Sequence, residues 1–212
     1  MVSAPQDRLG VKLGKVVKSN SHCDYVVQLD DTLGVVSPPN PEDYGFGSFV
    51  KLESQNPDRH WAVGLIYNSQ LFNPQFLNSG PRLSSEPNPL FTPDLVTETR
   101  ILLGTVLIGS LEPGGDRPYG RQGIPRVVVP VNTPVVTMTE MEIHHFHCDR
   151  DQKPQFCYLS QLLRYGGTLA PHLAQQVLGE LYDSQRFTTN DKRALAVLCK
   201  DLAWKNTVGT LG

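Results

Sequence analysis

The sequence predicts a mainly β fold with α: a small closed or partly open β-barrel followed by a C-terminal helical subdomain. Three observations predict it. Residues 14–67 hold four short strand-like runs, each bounded by turn residues. Glycines open or interrupt three of those runs, as they do where a small sheet bends hard into a barrel. From about residue 138 the apolar period changes from two to 3.6.

The first run is Gly14-Lys15-Val16-Val17 and the second Asp24-Tyr25-Val26-Val27-Gln28-Leu29. In the second, Tyr25, Val27 and Leu29 alternate with Val26, Gln28 and Asp30, so one side faces a core. Pro38, Pro39 and Pro41 then remove three ladder donors and mark a connection, not a central strand. The third run is Gly47-Ser48-Phe49-Val50-Lys51-Leu52. The fourth, 61–67, puts Trp61, Val63, Leu65 and Tyr67 on one face, with one side of the sheet buried. Residues 68–98 scatter five prolines (Pro74, Pro81, Pro87, Pro89, Pro93) among Asn and Ser, yet keep Leu71, Phe72, Phe76, Leu77, Leu83, Leu90 and Phe91. This reads as a long ordered loop pinned by its aromatics, or as a partner-docking segment.

Strand character returns at 100–109. A Gly-rich turn follows over 113–123, and Arg126-Val127-Val128-Val129-Pro130-Val131 reads as a further strand whose proline suits an edge or a bulge. Two more strands bring the count to what a small barrel needs. Helices are expected over 138–146 and over 156–165, the latter stopped by Gly166-Gly167. Thr168 is placed to cap a third helix with Pro171 in its first turn, and Leu169, Leu173, Val177 and Leu181 form its stripe. Thr188 and Asp191 are spaced as a capping box for the last helix, whose buried face is Leu195, Leu198 and Leu202.

Composition bounds the function. The apolar fraction, 39%, supports a core but is low for a globular enzyme, and 17 prolines with 18 glycines predict many ordered turns. A net charge of −2 argues against a protein dedicated to coating nucleic acid, though not against a local basic patch. No apolar run reaches the roughly 18–20 residues of a membrane span, and the first eight residues lack the apolar core of a secretory signal. Cys23, Cys148, Cys157 and Cys199 show no metal-clip spacing and read as free thiols of a cytoplasmic protein.

Chemical motifs are sparse. Gly14-Lys15 is the only Gly-Lys; Leu9 and Val16 stand where a phosphate-binding loop needs Gly and Ser or Thr. Gly45-Phe46-Gly47 is followed by Val50, which excludes the dinucleotide fingerprint. No nucleophile elbow or paired-carboxylate pattern appears. The reading is therefore non-enzymatic, with no catalytic residue and no cofactor.

Three groups stand out. His144, His145, His147 and Cys148 offer imidazole and thiol ligands for zinc or another soft metal, or else form a polar seam between barrel and helices with one histidine held by backbone hydrogen bonds. Arg117, Tyr119, Arg121 and Arg126 lie on or beside the Gly-rich turn, where guanidinium groups and an aromatic suit a phosphate or a nucleic-acid strand; a solvated hairpin tip has the same composition. Leu173, Leu181 and Trp204 are among more apolar groups than the short C-terminal helices bury between themselves, so they either pack on the barrel or form a partner or homo-oligomer surface, and Phe72 and Phe76 of the 68–98 loop are placed to join such a surface.

Leu13-Gly14-Lys15-Val16-Val17, Gly47-Ser48-Phe49-Val50-Lys51-Leu52 and Ala62-Val63-Gly64-Leu65-Ile66 together resemble the HAS barrel. That module is shared by the HerA family of DNA-translocating ATPases and by the N-terminal domain of the rotary ATP-synthase α and β subunits. Leu103-Gly104-Thr105-Val106 with 125–136 looks like its closing part. The resemblance covers 8–148, with the Pro-rich loop at 68–98 inserted, and rests on barrel-forming rather than catalytic residues. In HerA-like proteins the barrel precedes an ATPase core; in the synthase it forms a crown that holds the ring. Here 153–206 reads as a helical subdomain instead. The resemblance thus implies an interaction or assembly role beside a separately encoded ATPase. The plan of barrel plus helical tail also resembles uncharacterised cyanobacterial proteins of this size. The rival expectation is a nucleic-acid-binding barrel that uses the Gly/Arg-rich loop.

Overall fold

The computed structural model describes residues 10–32, 34–54, 62–72, 100–115, 117–165, 167–184 and 187–209. Six strands close an antiparallel barrel: β1 (Lys12–Ser19), β2 (Asp24–Leu29), β3 (Phe49–Leu52), β4 (Ala62–Phe72), β5 (Arg100–Glu112) and, after the extra strand β6 (Tyr119–Gln122), β7 (Pro134–Thr137). The order around the sheet is β2-β1-β7-β3-β4-β5-β6, and pairing of β2 with β5, from Asp24–Val106 to Gln28–Leu102, closes the circle. β6 adds to β5 outside the ring.

Alternation explains the lumen. Tyr25, Val27 and Leu29 of β2 point inward with Leu13, Val50 and Leu107, all buried. Register shifts in β1 and β4 give the bends that closure needs. Gly14 sits at one of them, and a Cβ there would overlap the Gln28 carbonyl across the β1–β2 ladder.

The outer face of the same wall is also buried, contrary to the one-sided sheet expected for the fourth run. Val63 and Leu65 of β4, Phe49 of β3 and Ile108 of β5 pack against helices, while Ala62 and Ile66 fill the lumen. Four α-helices follow the barrel: α1 (Glu140–Phe146), α2 (Tyr158–Tyr165), α3 (Ala170–Asp183) and α4 (Thr189–Gly209). Phe146, Tyr158, Leu162, Leu173, Leu178 and Leu195 join that outer core. Each fully buried side chain of this kind contributes roughly 1.5–3 kcal/mol.

Local signals place the helix ends. Thr139 and Glu142 form a capping box on α1, with Glu142 Oε2 accepting from the Thr139 N–H at 2.9 Å. Thr188 and Asp191 form the expected box on α4, where the Asp191 N–H donates to Thr188 Oγ1 at 3.3 Å. α3 departs from expectation. Its cap position is Leu169, without a side-chain cap, and not Thr168. Leu169 is exposed rather than part of the buried stripe. Pro171, within the first turn, costs nothing because its missing N–H has no intrahelical partner there.

The run at 126–131 is not a strand. Pro125 precedes it and Pro130 interrupts it, and only Val129 turns inward, its N–H donating to the buried Tyr25 Oη at 3.1 Å. The closing strand is Pro134–Thr137. The Gly-rich turn holds a strand instead: β6 lies inside it and makes a hairpin with β5. Trp61, Phe76, Asp116, Gly166 and the greater part of the 68–98 segment lie outside the described residues. The flanks of that segment are the ends of the long β4–β5 pair, Leu71–Ile101 and Phe72–Arg100. Among the described residues no helix is long and apolar enough to cross a membrane.

Candidate functional site

Two features gather near the β5–β6 hairpin: a cleft rimmed by arginines and an apolar loop. The cleft is built from backbone first. Gly120 lies against α1, where a Cβ would overlap the Phe146 carbonyl, and its N–H donates to the Cys148 carbonyl at 2.9 Å. Gln155 Nε2 donates to the Gly120 and Cys148 carbonyls at 2.6 and 3.0 Å. Gln122 Nε2 reaches the Phe146 and Gln155 carbonyls at 3.1 and 3.0 Å. These bonds stitch β6 to the segment after α1. There Asp149 Oδ1 accepts from the Asp151 and Lys153 N–H groups at 2.9 and 2.8 Å, folding a tight turn with Gln152 at φ 61°.

The turn brings Arg150 and Gln152 to the hairpin. With Pro113, Gly114, Gly115, Arg117 and Tyr119 they line an open cavity of about 690 Å³. Among the described residues neither Arg117 nor Arg150 forms an ion pair. Two guanidinium groups and a phenol ring in one cleft suit an anion such as phosphate. Of the four residues singled out in sequence, Arg117 and Tyr119 meet here; Arg121 and Arg126 are exposed and do not line the cavity. Arg150 and Gln152 were missed. The polar run 149–153, an Asp followed by further turn residues, marks a turn but not its neighbour across the fold.

The histidine cluster divides. His147 is fully buried among Phe49, Phe146, Phe156, Tyr158 and Phe187. Its Nδ1 lies 2.7 Å from the Ile143 carbonyl, which only accepts, so Nδ1 carries the proton. Nε2 then accepts from Tyr158 Oη at 3.0 Å. Burial pushes the ring down to about 4, partly countered by the bond to Ile143. Both nitrogens are occupied, so His147 is a structural residue rather than a metal ligand. Burial, then the Arg117 guanidinium, holds His145 below its usual range, while Glu142 pulls the other way. Burial also raises the Cys148 thiol, followed by Asp191 and Asp149, with Arg117 opposing. A protonated thiol is a poor nucleophile and a poor ligand. His144 Nε2 is 4.0 Å from Cys148 Sγ. Among the described residues no three His, Cys, Asp or Glu groups come together to hold a metal ion.

The expected partner surface is also redrawn. Leu173 and Leu181 are 1% and 2% exposed and belong to the core between helices and barrel. Phe72 is half-exposed at the end of β4. Trp204 falls within α4, and its side chain lies outside the described residues. Leu71 beside Phe72 and Val197 on α4 are exposed as well, but exposed apolar residues cluster elsewhere: Ile124, Val127, Val128 and Val131 are 57–66% exposed in one short loop. That loop is fixed at several points. The Pro125 carbonyl accepts from His22 Nε2 at 2.7 Å, the Val129 N–H donates to Tyr25, and the Asn132 N–H donates to the Val16 carbonyl at 2.8 Å. The valines gave this loop a strand-like sequence; its exposure follows from where the barrel closes.

A family model described as Domain of unknown function (DUF8166) matches residues 2–212, and the chain belongs to that family. No curated protein matches the chain.

Proposed function

We propose that this chain is a non-enzymatic interaction module of the cytoplasm that docks a protein partner through the loop at 124–131. The observation that carries the reading is the exposure of Ile124, Val127, Val128 and Val131 on a loop whose backbone is held in place. A fixed loop presents its apolar groups without the ordering cost of a mobile one. With about three-fifths of each side chain still exposed, covering one contributes roughly 1 kcal/mol, so covering all four contributes roughly 4 kcal/mol before the costs of association. The resemblance of 8–148 to the HAS barrel supports an assembly role, with a separately encoded ATPase as the partner. A photo-crosslinking amino acid at position 128 tests this: it should trap one protein in native extract, and an absence of any specific adduct would argue against the docking face.

A second reading has its own observation. Arg117, Tyr119 and Arg150 line one cavity, which supports single-stranded nucleic acid held by its phosphates. Anisotropy of a labelled oligonucleotide across a salt series separates the two readings. On the second, the double variant Arg117→Ala/Arg150→Ala weakens binding and lowers the log–log salt slope by about 1–2. Equal binding by variant and wild type removes the arginine cleft from consideration.

A further inference from the structure

We propose that a second cleft, between the barrel wall and the start of α3, binds a small organic monoamine with an apolar body. The cleft has a volume of about 220 Å³ and is lined by Asp24, Tyr67, Val106, Leu162, Leu169 and Leu173, with Gly167 and Ala170 at the helix end. It shares no residue with the valine loop or the arginine cleft, and stands whether or not those readings do.

The lining is apolar apart from one acidic corner. Asp24 opens β2 and is half-buried. Tyr67 Oη donates to its Oδ1 at 2.8 Å and Asn20 Nδ2 to its Oδ2 at 3.2 Å. The Tyr67 ring is laid across Gly104, where a Cβ would come within 2.9 Å of Cζ, so this glycine sets the floor beside the carboxylate. Burial, then the bond to Asp24 and its charge, pushes the Tyr67 phenol up to about 12, so the phenol stays a donor. Among the described residues Asp24 pairs with no cation. Two donors leave lone pairs on a carboxylate that has about four acceptor sites. An ammonium group satisfies them with a charge-assisted bond, while Val106, Leu162, Leu169 and Leu173 receive its hydrocarbon.

Charge and size select the class. A carboxylate ligand meets like charge at Asp24, and a neutral alcohol forgoes the ion pair. The amino end of α3 adds partial positive charge to one wall, but that half charge is spread over its first-turn amides and Asp24 carries a full one. Pro171 also removes one of those amides. At roughly 30 Å³ per water, the cleft holds about seven waters, the size of an amine of about seven to nine heavy atoms.

The test is an amide NMR titration of the full chain at neutral pH with cyclohexylamine, cyclohexanol and cyclohexanecarboxylate. The proposal expects saturable shifts from the amine at Asp24, Val106, Leu162 and Gly167, weaker binding of the alcohol and none of the carboxylate. Asp24→Asn should weaken the amine by about tenfold or more. Leu169→Trp, at an exposed position that fills the cleft, should abolish binding while leaving the fold intact. Should Asp24→Asn fail to fold, the three ligands on wild type and the Leu169→Trp variant decide alone. Equal affinity for amine and alcohol, unsaturable shifts, or undiminished amine binding in Leu169→Trp would overturn it.

Discussion

Acidification from pH 7 to pH 4.5 should remove about 2 kcal/mol of stability through His147 alone. Burial holds its ring at about 4 in the folded protein, against an ordinary value of 6.5. The unfolded chain therefore takes up the proton first. The contribution is complete above pH 6.5, falls as the pH drops through the window between 6.5 and 4, and is lost below it. The gap corresponds to about 3 kcal/mol at the acid limit, at about 1.4 kcal/mol per pH unit, with about 2 kcal/mol gone by pH 4.5. Full burial and five neighbouring aromatic rings leave little solvent screening to discount. Urea unfolding of wild type and His147→Gln at both pH values isolates the effect. The glutamine amide keeps a donor for Ile143 and an acceptor for Tyr158 but has no titrating proton. The variant should be the less stable at pH 7, yet lose about 2 kcal/mol less on acidification. Parallel losses in the two proteins, or a His147 resonance that titrates near 6.5 in the folded state, would show that His147 is not held neutral by burial.

Other consequences follow from single contacts. Lys51 Nζ meets Glu142 Oε1 at 2.5 Å, and Glu142 is also half of the α1 capping box, so Glu142→Ala should cost about 2 kcal/mol, read from the urea midpoint. Gly120→Ala would drive a Cβ into the Phe146 carbonyl; it should cost about 3 kcal/mol and speed hydrogen exchange in β6. The double variant Val127→Ser/Val128→Ser touches only exposed side chains and should leave the thermal midpoint within the equivalent of about 0.5 kcal/mol.

The barrel was legible where alternation was strict. Tyr25, Val27 and Leu29 announced an inward face, and the spacing of Thr188 and Asp191 announced a helix start, because both signals are local. The sequence misled where one pattern serves two environments. Arg126 to Val131 has strand composition, but Pro130 removes a ladder donor within it and Pro125 one before it, and the ladder falls to Pro134–Thr137. Leu173 and Leu181 read either as core or as partner surface; the placement of α3 on the barrel decides for core. The candidate site was half legible. Arg117 and Tyr119 stood together in the chain, whereas Arg150 reaches them because Asp149 folds its own turn and Gln155 bonds that segment to Gly120 across the fold. His147 could not be told from a ligand by spacing, since its role depends on Ile143 and Tyr158 taking both ring nitrogens.

The docking face is tested most directly by a nuclease-treated native pull-down with quantitative mass spectrometry, comparing wild type with Val127→Ser/Val128→Ser. A protein partner, an ATPase foremost, should survive nuclease with wild type and be lost with the variant. Recovery of the same proteins by both baits, or disappearance of every partner on nuclease treatment, would contradict it.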